Sequence, residues 1–320
     1  LSMKHLNLVG VDISDSSIKL LQLDRGNTIL AYGSCKLEPG VVEQGTIVNK
    51  ELFSAALNKI LKETKPNVIH VDADLVRAVI CIPESKLYTH YIQIPAEMNK
   101  SERESFIKKQ AEDIIPFTLD EMYWDYHVVI DKKNECHATF VGVVKAVLDN
   151  YIEAFAFSHI KPAFVVGELF ALGYALLPEN WTSDTDYMMV DIGANTTTVG
   201  VFGDDAVANW SVVLPYGGIK FTQSIADALS VPLETAEKLK REYGMLDTTK
   251  KPEVTEALHS EIKILFDKIT EAKNEFEKRS GNPVVQMILA GGSAQLPGLI
   301  VFAAKHVGIP ATIANPLLKI

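Results

Sequence analysis

The sequence predicts an α/β protein of two related lobes, with a small α+β packet inserted into the first. Three observations predict it. Strand-like and helix-like stretches alternate along all 320 residues without a low-complexity linker. Two segments align without a gap, Val11-Asp12-Ile13-Ser14-Asp15-Ser16-Ser17 and Val190-Asp191-Ile192-Gly193-Ala194-Asn195-Thr196. Each puts an aspartate at the end of an apolar strand, then a small polar turn, then another strand, and an internal repeat of that kind means two related units. Between residues 83 and 160 the texture changes to a strand–helix–strand–strand–helix packet that can fold as an inserted subdomain.

In chain order, residues 6–12 and 17–23 read as strands around a polar turn, and 27–36 as a third. Residues 51–63 form an amphipathic helix, with Leu52, Ala55, Ala56 and Ile60 at helical spacing. A short strand at 78–82 is stopped by Pro83. The packet then runs from a strand at 87–94 to a helix opened by Ser101 as N-cap, with Glu104 three residues on as a capping box. Pro116 ends that helix, and strands at 122–130 and 137–144 and a helix at 146–157 follow. The second lobe begins with strands at 187–192 and 196–202, and Asp204-Asp205 turns the chain into a strand at 206–214. Helices at 218–229, 232–243 and 253–279, a strand at 284–289 and a helix at 297–306 complete it, with Pro232 and Pro297 at first helical positions. The domains expected are 1–82 with 161–186, the insertion 83–160, and 187–320 with a helical part at about 218–282.

A net charge of −10 gives no electrostatic support to general nucleic-acid binding. Cys35, Cys81 and Cys136 are scattered, form no CxxC, and fit buried thiols in a reducing cytoplasm. The apolar stretch 163–177 is interrupted by Glu168 and is too short to span a bilayer, so membrane association is expected only through partners. The histidines show no HxxxH or HExxH spacing. Tyr123-Trp124-Asp125-Tyr126 alternates as a strand does, either for packing or as a rim for a partner peptide.

The chemistry lies in the turns. A strand ending in aspartate, followed by small polar residues, lets backbone N–H groups approach phosphate oxygens while the carboxylate holds Mg²⁺ through its water shell. Asp12 and Asp191 are the candidate metal residues; Ser16, Ser17, Thr196 and Thr197 add hydroxyls, and Lys19 can point back at a phosphate. One such turn alone is ordinary hairpin chemistry; a pair of them with a third element is not. That element is Leu289-Ala290-Gly291-Gly292-Ser293-Ala294-Gln295-Leu296-Pro297-Gly298, whose glycines let a base or ribose lie on backbone. Neither GxGxxG nor GxxxxGK[ST] occurs.

Asp12 with Lys19, Asp191-Ile-Gly193 and Gly291-Gly292-Ser293 resemble the first phosphate, second phosphate and adenosine motifs of the actin-like ATPase superfamily. Glu168-Leu-Phe-Ala-Leu-Gly-Tyr resembles its connecting helix, and Ala236-Glu237-Lys238-Leu239-Lys240-Arg241 the helix that brackets ribose and adenine. Within the superfamily the chain is similar to the PilM family of type IV pilus assembly, and next to FtsA of cell division. The likeness covers nearly the whole chain, including Gly10-Val-Asp-Ile-Ser-Asp-Ser-Ser-Ile-Lys, Ile92-Gln-Ile-Pro, Gln110-Ala-Glu-Asp-Ile-Ile-Pro-Phe and Pro215-Tyr-Gly-Gly-Ile-Lys. Ser14 departs from it, standing where the family has glycine, and makes the first turn stiffer. Residues 1–3 read as an addition before the natural start, and the sequence stops at 315–320 where the family continues into a final helix.

The resemblance implies a bilobed actin-like (ribonuclease H-like, duplicated) fold with an FtsA-like α+β insertion, and ATP with Mg²⁺ in the cleft between the lobes. It implies nucleotide contacts from Asp12, Ser14, Ser16, Ser17, Lys19, Gly193, Asn195, Thr196, Gly217, Gly218, Glu237, Lys240, Arg241, Gly291, Gly292, Ser293 and Leu296. Glu168 would stand near the γ-phosphate, and Asp12 and Asp191 near the metal. Further implications are a cytoplasmic scaffold at the inner face of the bacterial inner membrane, other pilus platform and motor proteins as partners, and self-association. Its principal partner would be the N-terminal peptide of a PilN-like membrane protein, held between the first lobe and the insertion. Turnover would be that of a slow ATPase at most. Two alternatives remain, an FtsA-like division protein and a small-molecule kinase on the same fold. A kinase needs a base and an acceptor pocket, and no acidic cluster is added to Asp12, Glu168 and Asp191.

Overall fold

The computed structural model describes residues 7–70, 76–95, 97–130, 136–177, 186–203, 207–246 and 251–319. They form two compact units, residues 1–175 with 316–320 and residues 176–315.

In unit 1, β1 (Asn7–Ser14), β2 (Ser17–Leu23) and β3 (Ile29–Lys36) form an antiparallel meander. Val9, Val11, Ile13, Ile18 and Leu20 are buried at alternate positions, the period of a strand packed on one face. A small hairpin follows, β4 (Val42–Glu43) and β5 (Thr46–Ile47), then α1 (Lys50–Glu63). Asn49 caps α1 by accepting the Leu52 N–H, and Phe53, Leu57, Ile60 and Leu61 bury its inner stripe. After the edge strand β6 (Lys65–Pro66), β7 (Val76–Ile82) pairs parallel to β1.

The insertion supplies β8 (Leu87–Ile94), α2 (Lys100–Ile114), β9 (Met122–Ile130) and β10 (Cys136–Val144). Its antiparallel sheet has the order β8-β10-β9. Its own core, Ile92, Ile94, Ile107, Ala111, Ala138 and Phe140, is separate from that of the lobe. The lobe resumes with α3 (Lys145–Ala156), the edge strand β11 (Lys161–Gly167), parallel to β7, and α4 (Glu168–Leu176). The main sheet therefore has the order β11-β7-β1-β2-β3-β6.

Unit 2 repeats this plan. An antiparallel meander, β12 (Asp186–Ile192), β13 (Thr197–Phe202) and β14 (Ala208–Leu214), is followed by α5 (Gly218–Leu229), α6 (Leu233–Tyr243) and α7 (Pro252–Ser280). Then come β15 (Val284–Ala290), parallel to β12, α8 (Leu299–Val307) and β16 (Ala311–Ile313), parallel to β15. The order β14-β13-β12-β15-β16 matches β3-β2-β1-β7-β11 strand for strand, as the internal repeat requires. One face of α7 buries Val254, Leu258, Ile262, Leu265, Phe266 and Ile269 in the core, so this long helix is a lobe helix.

Four expectations need correction. The cap of α2 is Asn99, not Ser101: the Asn99 side chain accepts from Ser101 and Glu102 N–H, and Glu102 returns to the Asn99 N–H at 2.8 Å. Pro232 is the cap of α6, in extended conformation, one residue ahead of the first helical position. Pro297 does not open α8, because left-handed Gly298 (φ 79°) stands between them. Helix α3, assigned to the insertion, packs Leu148, Tyr151, Ala154 and Phe155 into the lobe core, with Phe155 5.7 Å from Phe53. The turn expected at 204–205 lies outside the described residues.

Candidate functional sites

The first hairpin turn is tied up by its own side chains. Ser14 Oγ accepts the Ser17 N–H at 3.1 Å and lies 3.0 Å from Ser17 Oγ. Asp15 accepts the N–H groups of Gln44 and Gly45 at 3.1 and 2.9 Å. Across the ladder Asp12 faces Lys19, whose Nζ lies 2.6 Å from Asp12 Oδ2. The lysine side chain is 60% exposed and the aspartate 45%, so water screens this pair and it contributes about 1 kcal/mol at most. A phosphate or metal can draw either partner away at little cost. Glu168 opens α4 and accepts the Glu84 N–H at 3.2 Å. Nearby Tyr151 has its phenol raised by burial, then by the charges of Glu168 and Asp15.

The second turn is closed by backbone alone, the Gly193 N–H donating to the Thr196 carbonyl at 2.9 Å, and it has a floor. The Gly193 carbonyl accepts the Gly218 N–H and the Ala194 carbonyl the Ile219 N–H, both at 2.9 Å, which draws the start of α5 onto the turn. A Cβ on Gly218 would lie 2.4 Å from Ser293 Oγ. At Gly291 (φ 85°) a Cβ would lie 2.3 Å from Asp191 Oδ1 and 2.5 Å from the Ile192 carbonyl, so only glycine fits. The glycines of three segments thus meet where backbone must approach closely, around Asp191 and the exposed Asn195 and Thr196.

Lys240 anchors this floor. Only 5% exposed, it donates to the Gly218 carbonyl and to Thr222 Oγ1, both at 2.8 Å, and pairs with Glu237 Oε2 at 2.6 Å. The Thr222 hydroxyl lies 2.5 Å from the same Glu237 oxygen, and exposed Arg241 donates to Glu237 Oε1 at 2.7 Å. Burial would raise the Glu237 carboxyl, but hydrogen bonds from Lys240, Thr222 and Arg241 outweigh it and hold it below the usual range. Burial pushes Lys240 down against the pull of Glu237.

A third feature lies within unit 1. A groove of about 470 Å³ runs between the insertion and the lobe. One wall is the edge strand β9 at 123–127, the other is the edge strand β11 at 165–167 with Phe170 and Tyr174 of α4, and Thr139, Val141 and Val143 of β10 contribute to its lining. Along β9, Trp124 and Tyr126 pack on the insertion core, with Trp124 stacked 5.9 Å from Phe140. Tyr123 stands 43% exposed, and its hydroxyl donates to Asp149 at 3.1 Å.

A family model described as "Type IV pilus assembly protein PilM" matches residues 10–320. The chain belongs to that family. Its fold is similar to that in a solved "PilM-PilN type IV pilus biogenesis complex", with a TM-score of 0.82 and 21% identity over 99% of this chain and 90% of that one. A structure of MreB 5 of Spiroplasma citri bound to AMPPNP aligns with a TM-score of 0.57 and 13% identity, covering 99% and 95% of the two chains. Cell division protein FtsA of Neisseria meningitidis serogroup B is 26% identical over 167 residues, 46% of this chain and 40% of that protein. FtsA of Pseudomonas aeruginosa is 26% identical over 172 residues, 48% of this chain and 41% of that protein. The chain therefore spans less than half the length of these two curated relatives. The actin-like ATPase fold expected from the sequence is the observed one.

In unit 2 the structure brings together Asp191, Gly193, Gly217, Gly218, Glu237, Lys240, Gly291 and Ser293, with Arg241 joined through Glu237. Gly292 is exposed with open space over its Cα. Leu296 is 6% exposed and belongs to the apolar core of the unit. In unit 1, Asp12, Ser14, Ser16, Ser17 and Lys19 share one hairpin end. Sequence reasoning missed Thr222, one helical turn after Gly218 and so beneath the glycine pair. It also missed the groove residues Val165, Phe170 and Tyr174, which read as an ordinary connecting strand and helix.

Proposed function

We propose that this type IV pilus assembly protein is an ATP-binding cytoplasmic scaffold that holds the N-terminal segment of a PilN-like membrane protein in the unit 1 groove. The groove carries the reading, because it is walled by two sheet edges. Edge strands offer unsatisfied backbone N–H and C=O groups, and an extended peptide satisfies them while its alternate side chains fill apolar slots. The volume suits a few side chains, and exposed Tyr123, Val165 and Tyr174 offer apolar contact at its rim. Asp125 is a charged lining residue and would pair with a basic residue of the peptide, while Lys145 lies 5.7 Å from the ring of Tyr123 at the rim. Support also comes from the fold it shares with the protein of the PilM–PilN complex. Bound there, the peptide would recruit the chain to the inner face of the inner membrane, where it would link the platform to motor proteins.

Nucleotide binding is the second part of the proposal. The glycine floor of unit 2 fits a ligand that must lie on backbone, and Lys240 fixes that floor in place. Asn195 and Thr196 would meet phosphate, and Glu237 and Arg241 the ribose and base. Asp191, at the end of β12 beside this floor, would hold Mg²⁺ through its water shell. With Ser14 occupying a donor of the first turn, hydrolysis would be slow.

The test is calorimetric titration with a synthetic peptide of the PilN N-terminal segment. Val165→Asp, at a 39% exposed groove position, is expected to weaken binding at least about tenfold, as burial of an unpaired charge requires, with the circular dichroism spectrum unchanged. Unaltered affinity would place the peptide elsewhere.

A further inference from the structure

Hydrogen bonds inside unit 1 join the first hairpin turn to the wall of the groove. Asp15, in the turn between β1 and β2, accepts from the N–H groups of Gln44 and Gly45. Those two residues are the turn of the β4–β5 hairpin, and both hold positive φ, 49° and 70°. The Gly45 carbonyl accepts the Tyr151 hydroxyl at 2.7 Å. One residue earlier, Asn150 grips Ile47 from both sides, its Oδ1 accepting the N–H at 3.2 Å and its Nδ2 donating to the carbonyl at 3.0 Å. Both side chains belong to α3, which also carries Leu148, a lining residue of the groove, and Asp149, which accepts the Tyr123 hydroxyl of the β9 wall.

These links resist slack. Tyr151 has no exposed surface and Gly45 is buried, so their bond cannot be exchanged for water without leaving a buried polar group unpaired. Asp15 is a carboxylate, and its two bonds from backbone N–H groups are of the stronger, charge-assisted kind. A shift of α3 that accommodates a ligand at Leu148 and Tyr123 would pull on the 44–45 turn through the buried Tyr151 bond, and on Asp15 through the part-buried bond to Gly45.

We propose that α3 and the 44–45 turn couple the groove to the first hairpin turn, so that a peptide in the groove changes the affinity for nucleotide through Tyr151, Gly45 and Asp15. The coupling rests on the reading that the groove takes a peptide and the first turn meets phosphate. By linkage it is reciprocal, with ATP changing peptide affinity by the same factor.

The experiment measures four dissociation constants by calorimetry on the full chain: ATP–Mg²⁺ with and without the PilN N-terminal peptide, and the peptide with and without ATP–Mg²⁺. The wild-type factor is expected on the order of five or more, the size of an ordinary coupling between sites. Tyr151→Phe, which keeps the buried ring, and Asn150→Ala, which cuts the neighbouring link, are each expected to bring the factor to about unity. Each ligand's affinity alone would stay within about threefold of wild type. Amide exchange at Gln44 and Gly45 adds a readout that needs no nucleotide: the peptide slows it in the wild type and leaves it unchanged in Tyr151→Phe. A wild-type chain that binds both ligands with a factor of one overturns the coupling, and so does a factor that survives in both variants. Should Tyr151→Phe not fold, Asn150→Ala decides. Failure of the wild type to bind one ligand at all overturns the underlying reading, and the coupling with it.

Discussion

Two hairpin turns stand at equivalent places in two sheets that share the order of five strands, and they are closed in different ways, by a side chain in one and by backbone in the other. In unit 1 the position after the strand is Ser14, whose hydroxyl takes the Ser17 N–H. In unit 2 it is Gly193, which has no side chain to do so and whose carbonyl instead holds the start of α5. The cation of the first turn, Lys19, is exposed on a weak pair with Asp12, whereas Lys240 under the second is buried and makes three short contacts. Strand order is kept in both units because alternating apolar residues must reach a core. The turns carry no such burden and are free to diverge. On the proposed reading, most nucleotide contacts would fall to unit 2, and the peptide to unit 1 with its inserted sheet and the two edge strands of the groove.

The contrast can be broken most sharply at Gly291. Alanine there combines left-handed backbone strain, about 1–3 kcal/mol, with a clash against the end of β12. ATP affinity in calorimetry is expected to fall at least about 30-fold, since each 1.4 kcal/mol is a factor of ten. Full affinity would mean that the floor does not touch nucleotide.

Glu237→Gln comes next. It leaves Lys240 buried without its counter-charge, a loss of about 2 kcal/mol after allowing for the partly exposed carboxylate. The folded-state value of Glu237 is depressed, so its contribution is present above the unfolded glutamate value, about 4.3, and is lost as pH falls through the lower folded value. The gap in Tm between wild type and variant is therefore expected to be full at pH 7 and to close in acid. A gap independent of pH would show that ionisation of Glu237 plays no part.

Ser14→Gly sharpens the comparison by making the first turn like the second. Freeing one N–H while adding backbone entropy is expected to raise ATP affinity only about threefold. A fall would show that the Ser14 hydroxyl itself meets phosphate. The smallest effect is expected at Asp125→Asn, which should weaken peptide binding about twofold at low salt and flatten its salt dependence. An unchanged salt dependence would remove the argument for a basic peptide.

Much of this was legible in the sequence, because the repeat around Asp12 and Asp191 is local and gapless and the glycines at 217–218 and 291–292 punctuate elements. Glu237 and Lys240 stood out only through the resemblance of 236–241 to the superfamily's ribose-side helix. The groove was only half legible. Val165, Phe170 and Tyr174 are apolar residues on a connecting strand and helix, and in sequence such residues look alike whether a neighbour covers them or not. For the same reason α3 was assigned to the insertion: the spacing of Leu148, Tyr151 and Phe155 fits either core equally well. The cap of α2 was placed two residues late because Ser101 with Glu104 satisfies the capping pattern as fully as Asn99 with Glu102, and only the N–H geometry separates them.

Amide hydrogen exchange of the full chain, with and without the PilN N-terminal peptide, tests the central assignment most directly. Protection is expected to concentrate at 123–127 of β9 and 165–167 of β11, the two edges that wall the groove, with the unit 2 segments 193–197 and 291–295 little changed. Protection confined to unit 2, or spread over surfaces away from both edges while the peptide is bound, would contradict it.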